Sequence, residues 1–551
     1  MRDGIHLATD LYLPRRPSRV PAIVARTPYG ARGNAVWFAG IGRLFADHGF
    51  AFVAQDTRGH HGSGGVAAPF AHEALDGYDT CDWVVRQPWS DGTIATFGES
   101  YVGFTAIAAA SSGHPAIRAA ALRATTSDIE DDWIRHQGVL RLEFVVRWAL
   151  AAWSGRDNLA PELDWTIRPL RAVVPAVVPD RVPAILDDWA RDGGHTRHVA
   201  RWPALIDRVR VPTHFTAGWW DLFQRGQLRD WSHHARHGNP ASRLVVEATD
   251  HAGHDWGDGP TPDPLSDFDA LAARMPDVLS NELAFLCAQL KGTETRPPSA
   301  PVSWTLTHAG AQTATRWPPP GARPLRLYLV DAGRAHRGPE GGALSSRPDR
   351  IPVEARWVHD ARQLVPSTDG EALEGWFRRP DERLAQVRDD VITFTSDVMR
   401  VALDLAGPVT ADLVLRASSP GSHVMVKLCD VQPTGEAYRI VDGASRIDGD
   451  ETSTTIVDLG QTGYRIRPGH RLRLEIASSA FPRYIWFPGT ATDPWDAVQT
   501  RSVESILVTG LEGSSVTLTV MGESRAQADR AAVSAQWTTP PTPTRAAGCH
   551  S

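Results

Sequence analysis

Cysteine is scarce in this chain. It holds four in 551 residues, Cys81, Cys287, Cys429 and Cys549. None falls in a C-x-x-C pair, and their spacing is too wide for a zinc signature or a disulfide scaffold. Long apolar runs are also absent. No stretch approaches the roughly 18 residues that a membrane-spanning helix needs. The opening MRDGIHLATDLYLP carries Asp3 and Asp10 and no apolar core of a secretory signal. These absences lead to the expectation of a cytoplasmic protein that does not engage a membrane. Nor does one sign of charge dominate. Lys and Arg number 57 against 64 Asp and Glu, a formal charge of −7, which offers no general field for nucleic acid. Apolar residues at 42% and charged residues at 22% exclude a disordered or fibrous chain. Tyrosine, at 8, and methionine, at 5, are sparse, but tryptophan, at 20, is not. That load points to aromatic-walled pockets or to large cores.

A chain this long exceeds one core. In residues 1–126, strands are expected at 5–13, 21–26, 50–55, 93–97 and 117–123, with helices at 36–48 and 77–86. This alternation predicts an α/β layer with a largely parallel sheet. Residues 127–208 change character. Trp133, Phe144, Trp148 and Trp153 lie at helical spacing, interrupted by Pro161, Pro169, Pro175, Pro179 and Pro183, which predicts a helical insertion. Strand character returns at 211–217 and 243–248, and a closing helix is expected at 281–291, so 209–294 reads as the second part of the α/β domain. After the linker-like GTETRPPSAP, residues 302–522 run as short alternating β segments, a pattern of the jelly-roll sandwich. The tail at 526–551, rich in Ala, Pro and Thr, reads as frayed. There is no internal repeat.

The strongest chemical signal is TIATF-GESYVG-FTAIAAA. A strand enters a glycine-bracketed serine and leaves as a helix of small residues. Such an elbow holds Ser100 on a sharp turn above the sheet edge, with Gly98 and Gly103 removing clashes with neighbouring backbone. The spacing is Gly-x-Ser-x-x-Gly, with Val102 where a second glycine commonly stands. A serine nucleophile needs a base and a group to orient it. In α/β-hydrolase folds these follow in the order Ser, acid, His. VPTHFTAGWWD places Asp221 just past a strand, and RLVVEATDHAGHDWG offers His251 and His254. His251, nearer the strand end, is preferred. In the alternative His254 is the base, and Asp250 or Asp255 caps a turn. A metal site at Asp250, His251, His254 and Asp255 lacks any further ligand set. The tandem His60 and His61 and neighbouring Arg58 are read as packing or solvated groups, Asp56 as a pin for their loop, and Asp76 and Asp79 as supports of a helix start.

Together these stretches resemble the cocaine esterase and X-Pro dipeptidyl-peptidase family of serine hydrolases. The resemblance is carried by MRDGIHLATDLYLP, RTPYG, AQDTRGHHGSGG, GYDTCDWVVRQPWSDGTIATFGESYVGFTA, AGWWDLF, VITFTSD, VMVKLCDV and GHRLRLEIASSAFPR, and it spans roughly residues 1–522. It implies a catalytic α/β-hydrolase domain with an inserted helical cap, followed by a C-terminal all-β jelly-roll sandwich. Position by position, it implies Ser100 as nucleophile, Asp221 as triad acid and His251 as general base. It also implies an oxyanion hole made by the Tyr101 backbone N–H and the Tyr29 hydroxyl. One departure stands out. The family usually writes Gly-Pro-Trp-x-His before the base, whereas this chain has Glu247-Ala248-Thr249-Asp250-His251, which puts the geometry of that turn in question.

Trp133, Trp148, Trp220 and Phe223 are the expected acyl-pocket lining, with Trp219 also near, although a core role is open for each Trp. Members selective for α-amino acyl groups place acids shortly behind the triad acid. Here Leu222, Phe223 and Gln224 follow Asp221, and only Glu130, Asp131 and Asp132 at the start of the cap could take that part. X-Pro peptidases of the family commonly carry an extra N-terminal helical domain that these residues lack. The expected function is hydrolysis of a small-molecule ester or amide through an acyl-enzyme, most simply as a carboxylesterase with an apolar or aromatic acyl pocket and no cofactor. An amidase, acylase, X-Pro-type aminopeptidase or acyltransferase with the same triad, or a non-catalytic ligand-binding protein, are the alternatives. A homo-oligomer is left open.

Overall fold

Strands that are apolar or small at every position must be covered on both faces. β2 (Val20–Thr27) and β3 (Ala51–Asp56) are of that kind, buried along their whole length in a computed structural model. The structure describes residues 1–16, 18–33, 36–153, 162–179, 185–191, 202–237, 239–253, 255, 275–293, 300–367, 381–447, 451–511 and 513–522. The expected tail, and His254, lie outside the described residues.

In chain order the first layer comprises β1 (Thr9–Tyr12), β2, α1 (Phe38–Asp47), β3, α2 (Glu73–Val85), β4 (Ser90–Glu99), α3 (Ser100–Ser111) and β5 (Ile117–Arg123). A two-strand hairpin, β6 (Arg135–His136) and β7 (Val139–Leu140), follows with α4 (Leu142–Trp153), α5 (Val173–Val177) and α6 (Ile185–Ala190). The layer resumes with β8 (Thr213–Trp220), α7 (Gln224–His237), β9 (Arg243–Asp250), α8 (Ser280–Lys291), β10 (Val302–Leu306) and β11 (Gly310–Ala314). Among the described residues the sheet has nine strands, in the order β1-β3-β2-β4-β5-β8-β9-β10-β11. All neighbours from β3 through β10 are parallel, and the edges β1 and β11 are antiparallel. The carboxyl ends of β4, β8 and β9 therefore open on one edge, where such sheets bind their ligands. α3, apolar on all sides, is buried from Tyr101 to Ser111.

Three details differ from expectation. β1 starts at Thr9, and α2 starts at Glu73, four residues early. Residues 302–314 do not begin the sandwich. β10 pairs parallel with β9, and β11 closes the α/β sheet. Alternating apolar residues report a half-covered strand but not which sheet it joins.

The sandwich strands begin at Ala322 and end at Met521. Among the described residues they form one eleven-stranded sheet folded on itself, in which the long strand Leu403–Ala417 pairs with three others. Its interior is aliphatic, including Leu413, Val426, Leu474 and Leu518. The inserted segment leans on this sandwich. His136 Nδ1 meets the Tyr484 hydroxyl at 2.7 Å, the Trp495 indole N–H donates to Asp187 at 2.7 Å, and Gln137 bonds the strand at Ile456 and Asp458. No helix among the described residues is long and apolar enough to cross a membrane.

Candidate active site

The elbow is built by two close approaches. A Cβ on Gly98 would lie 2.3 Å from the Val102 backbone, and one on Gly103 would lie 2.6 Å from Thr125. Both positions must be glycine for β4 to turn into α3 within one residue. The turn leaves Ser100 at φ +57°, a left-handed conformation that side chains resist. The backbone around it is tied down. The Ser100 N–H donates to the Ala124 carbonyl at 3.1 Å, and the Thr125 hydroxyl donates to the Ser100 carbonyl at 2.7 Å.

His251 and Asp221 arrive from the ends of β9 and β8. His251 Nε2 stands 3.2 Å from Ser100 Oγ, and its Nδ1 stands 2.7 Å from Asp221 Oδ2. The Asp221 side chain is wholly buried. Its other oxygen accepts the Phe223 N–H at 2.6 Å. With both carboxylate oxygens engaged, Nδ1 carries the ring's proton and Nε2 faces the serine as acceptor. Burial, the largest single influence, pulls the His251 pKa down, but Asp221, Glu99 and Asp250 together outweigh it, Asp221 foremost, and the ring is held above the ordinary histidine value. Asp250 also caps the turn, accepting the Ala252 N–H at 3.0 Å.

Two tyrosines complete the cluster. The Tyr101 hydroxyl is locked in the interior, donating to Glu73 at 3.1 Å and accepting the Phe70 N–H at 2.8 Å. Its backbone N–H lies in the first turn of α3, where amides have no acceptor within the helix. Tyr29, in the turn after β2, lies close enough to Ser100 for the serine to influence its hydroxyl's titration, and that hydroxyl accepts the Trp148 indole N–H at 2.8 Å. Burial pushes the Tyr29 hydroxyl well above the usual tyrosine range, so it is a neutral donor.

Of the four residues expected to line a pocket, three meet. Trp133 and Phe223 have ring centroids 4.1 Å apart, Trp133 and Trp148 5.0 Å, and Phe223 sets its edge on His251 at 5.5 Å. Phe70, Phe144 and Trp189 join them. Each aromatic pair adds about 0.5–1.5 kcal/mol beyond burial, and Trp133, Trp148 and Phe223 are all fully buried within this cluster. Trp220 turns away, its indole N–H on the Arg439 carbonyl and its ring against Tyr464 of the sandwich. Trp219 likewise leaves the site. Its N–H donates to the Thr305 carbonyl at 2.7 Å, and it packs on Trp317. A sequence pair Trp-Trp at a strand end sends its two rings to opposite faces; Trp219 is buried in the same large apolar core as Trp133, and Trp220 packs against it.

The acids at the start of the cap are engaged elsewhere. Glu130 pairs with Arg135, and Asp131 pairs with Arg229. Asp132 is buried, accepts the Gly226 N–H, and burial pushes its carboxyl up to about 7. Arg58 pairs with Asp76 and Asp3, Asp56 accepts the Ala31 N–H at 2.6 Å, and the His61 ring packs on Gly30. Asp76 lies in the first turn of α2, but Asp79 lies a turn further in and binds Arg2 instead of supporting the helix start. Among the described residues no group of three His, Cys, Asp or Glu side chains could hold a metal ion.

Two family models match the chain: X-Pro dipeptidyl-peptidase (S15 family) over residues 3–253, and the X-Pro dipeptidyl-peptidase C-terminal non-catalytic domain over residues 291–526. The cocaine esterase of Rhodococcus sp. (strain MB1 Bresler) is 29% identical over 531 residues, covering 88% of this chain and 90% of the relative. Among solved structures, an α-amino acid ester hydrolase superposes with a TM-score of 0.76 at 21% identity, over 94% of this chain and 95% of its own. An aminopeptidase from a marine sediment archaeon, Thaumarchaeota archaeon, superposes with 0.75 at 20% identity, over 95% of each chain. At these identities the structural likeness speaks for the fold.

Proposed function

From the membership of this chain in the X-Pro dipeptidyl-peptidase and cocaine esterase family of serine hydrolases, we propose that Ser100, His251 and Asp221 are its catalytic triad and that it is a carboxylesterase for small molecules with an apolar or aromatic acyl group. The observation that carries this reading is the continuous hydrogen-bonded line from Ser100 Oγ through His251 to Asp221. In this reading residues 1–126 and 209–294, with β10 and β11, form the catalytic domain, 127–208 the cap, and the strands from Ala322 the sandwich.

His251 Nε2 takes the hydroxyl proton as Ser100 Oγ attacks the ester carbonyl. The Tyr29 hydroxyl and the Tyr101 N–H donate to the oxyanion. Nε2 returns the proton to the departing alcohol, and the acyl group stays on Ser100. Water then repeats the sequence, releasing the acid and restoring the serine. Trp133, Trp148 and Phe223 would face the acyl group. Glu130 and Asp131 are paired with Arg135 and Arg229, which weakens the case for ammonium recognition there and favours a neutral acyl chain.

The deciding experiment is intact-mass labelling with a fluorophosphonate probe on wild type and Ser100→Ala, beside a panel of p-nitrophenyl esters and one matched amide. A single adduct lost in the variant, with ester turnover, is the expected result. Folded wild type that takes no label and turns over no ester would overturn the hydrolytic role. Amide turnover matching the ester would move the reading to an amidase.

The pH dependence follows from the histidine. Its pKa is raised, so Nε2 is neutral only above a midpoint higher than the ordinary value of about 6.5. Plots of kcat/KM from about pH 5 to 8 are expected to rise with pH through that midpoint. A midpoint below the ordinary value would contradict the coupling to Asp221.

A further inference from the structure

One guanidinium holds both ends of the stretch that carries His251. Arg123, the last residue of β5, has a side chain only 9% exposed. Its three nitrogens go to three acceptors: Nη1 to Glu247 Oε2 at 3.0 Å, Nε to Glu282 Oε1 at 2.9 Å, and Nη2 to the Val278 carbonyl at 2.8 Å. Glu247 lies in β9 four residues before His251. Val278 and Glu282 lie beyond it, just before and within the first turn of α8.

The charges around Arg123 leave it no alternative. Glu282 is fully buried, takes a second bond from the Thr216 hydroxyl at 2.7 Å, and has its other oxygen buried without a partner. A carboxylate so placed is tolerated only beside a cation. Strand register sets Glu99, the residue before Ser100, level with Arg123 on the adjoining strand. Burial pulls the Arg123 pKa down, and Glu282, Glu247 and Glu99 more than restore it, so the guanidinium stays charged. Elsewhere the turn is held by packing. The Thr249 carbonyl occupies the space a Cβ on Gly218 would need. Glu247 and Thr249 stand in the stretch where the family usually has Gly-Pro-Trp.

We infer that Arg123 is a positioning residue for the general base, clipping Glu247 to the start of α8 so that His251 stays within reach of Ser100. The inference rests on the triad reading above. Arg123 touches no reacting atom. It acts because Nε2 already stands 3.2 Å from Oγ, the outer edge of a useful hydrogen bond, where a shift of about 1 Å can cost on the order of a hundredfold.

Two variants test it. Glu247→Gln keeps the shape and removes one charge at a partly exposed site, and Arg123→Lys keeps the charge but not the three-way fork. Each is expected to lower both kcat, per site titrated by fluorophosphonate, and the rate of Ser100 labelling by about tenfold, with KM held within about twofold. In both, the acid midpoint of kcat/KM should fall toward the ordinary histidine value as the ring loosens from Asp221. The double variant should be little worse than the poorer single one, because both weaken the same Arg123–Glu247 contact. A merely structural role would lower the melting temperature and leave kcat per titrated site and the midpoint unchanged. Folded Glu247→Gln with wild-type kcat and labelling rate overturns the inference, and it decides alone if Arg123→Lys does not fold. Wild type that never labels overturns the triad reading instead.

Discussion

Asp221→Asn is expected to lower kcat for an ester substrate by about 10⁴-fold while leaving the fold intact. The direction follows from the hydrogen bonds. The Phe223 N–H already donates to Asp221 Oδ1 at 2.6 Å, so the amide oxygen of an asparagine takes that place and its NH₂ faces His251. Nδ1 must then accept, and the ring's proton moves to Nε2, where it points at Ser100 Oγ. The imidazole can no longer take the serine proton, and the imidazolium loses its buried counter-charge. The acid midpoint of any residual activity should fall as well, because burial then acts on the histidine without the carboxylate that does most to offset it. Kinetics on a p-nitrophenyl ester, with circular dichroism as the check on folding, measure this. A loss smaller than about tenfold would remove Asp221 from the triad.

Tyr29→Phe separates the oxyanion role from the triad. Losing one of two aimed donors is expected to lower kcat by about 10²- to 10³-fold with little change in KM. The same factor should appear in the affinity of a boronic acid inhibitor, whose tetrahedral adduct carries the oxyanion, but not in the affinity of the free product acid. The structure adds a second expectation. Trp148 is fully buried, and its N–H donates to Tyr29, so the phenylalanine removes that acceptor. Losing this hydrogen bond costs about 0.5–1.5 kcal/mol of stability, a loss a thermal melt will register. Unchanged kcat and inhibitor affinity would instead make Tyr29 a packing residue of the turn.

Much of this site was legible in the sequence because its signals are local. Gly98, Ser100 and Gly103 lie within six residues, and the strand before them and the small-residue helix after them state the elbow's geometry. The alternation of buried strands with helices gave the parallel layer within a few residues at each boundary, and Asp221 and His251 each stand at a strand end. What was not legible depends on partners far apart in the chain. Arg123 binds Glu282 across 159 residues and Glu247 across 124, and an isolated Arg in a run of alanines carries no mark of that. Trp219 and Trp220 looked like pocket residues because they adjoin Asp221. Their contacts, with Thr305 and Tyr464, are set by the sandwich and by β10, which sequence proximity does not reveal. The same limit explains why 302–314 resembles a sandwich strand pair in sequence: a strand's alternation is visible, but its pairing is not.

The left-handed backbone at Ser100 reaches beyond catalysis. A residue with a side chain pays of order 1–2 kcal/mol to stand there, and glycine does not. Selection for folding and selection for chemistry therefore oppose each other at this one position. In a lineage released from its substrate, the first mutations to be favoured would fall on Ser100, the proposed nucleophile, leaving a chain that is inert and more stable. Family likeness and an intact fold would survive such a change untouched. Among descendants of this architecture, the identity of residue 100 is a better record of whether chemistry is still under selection than any measure of overall similarity.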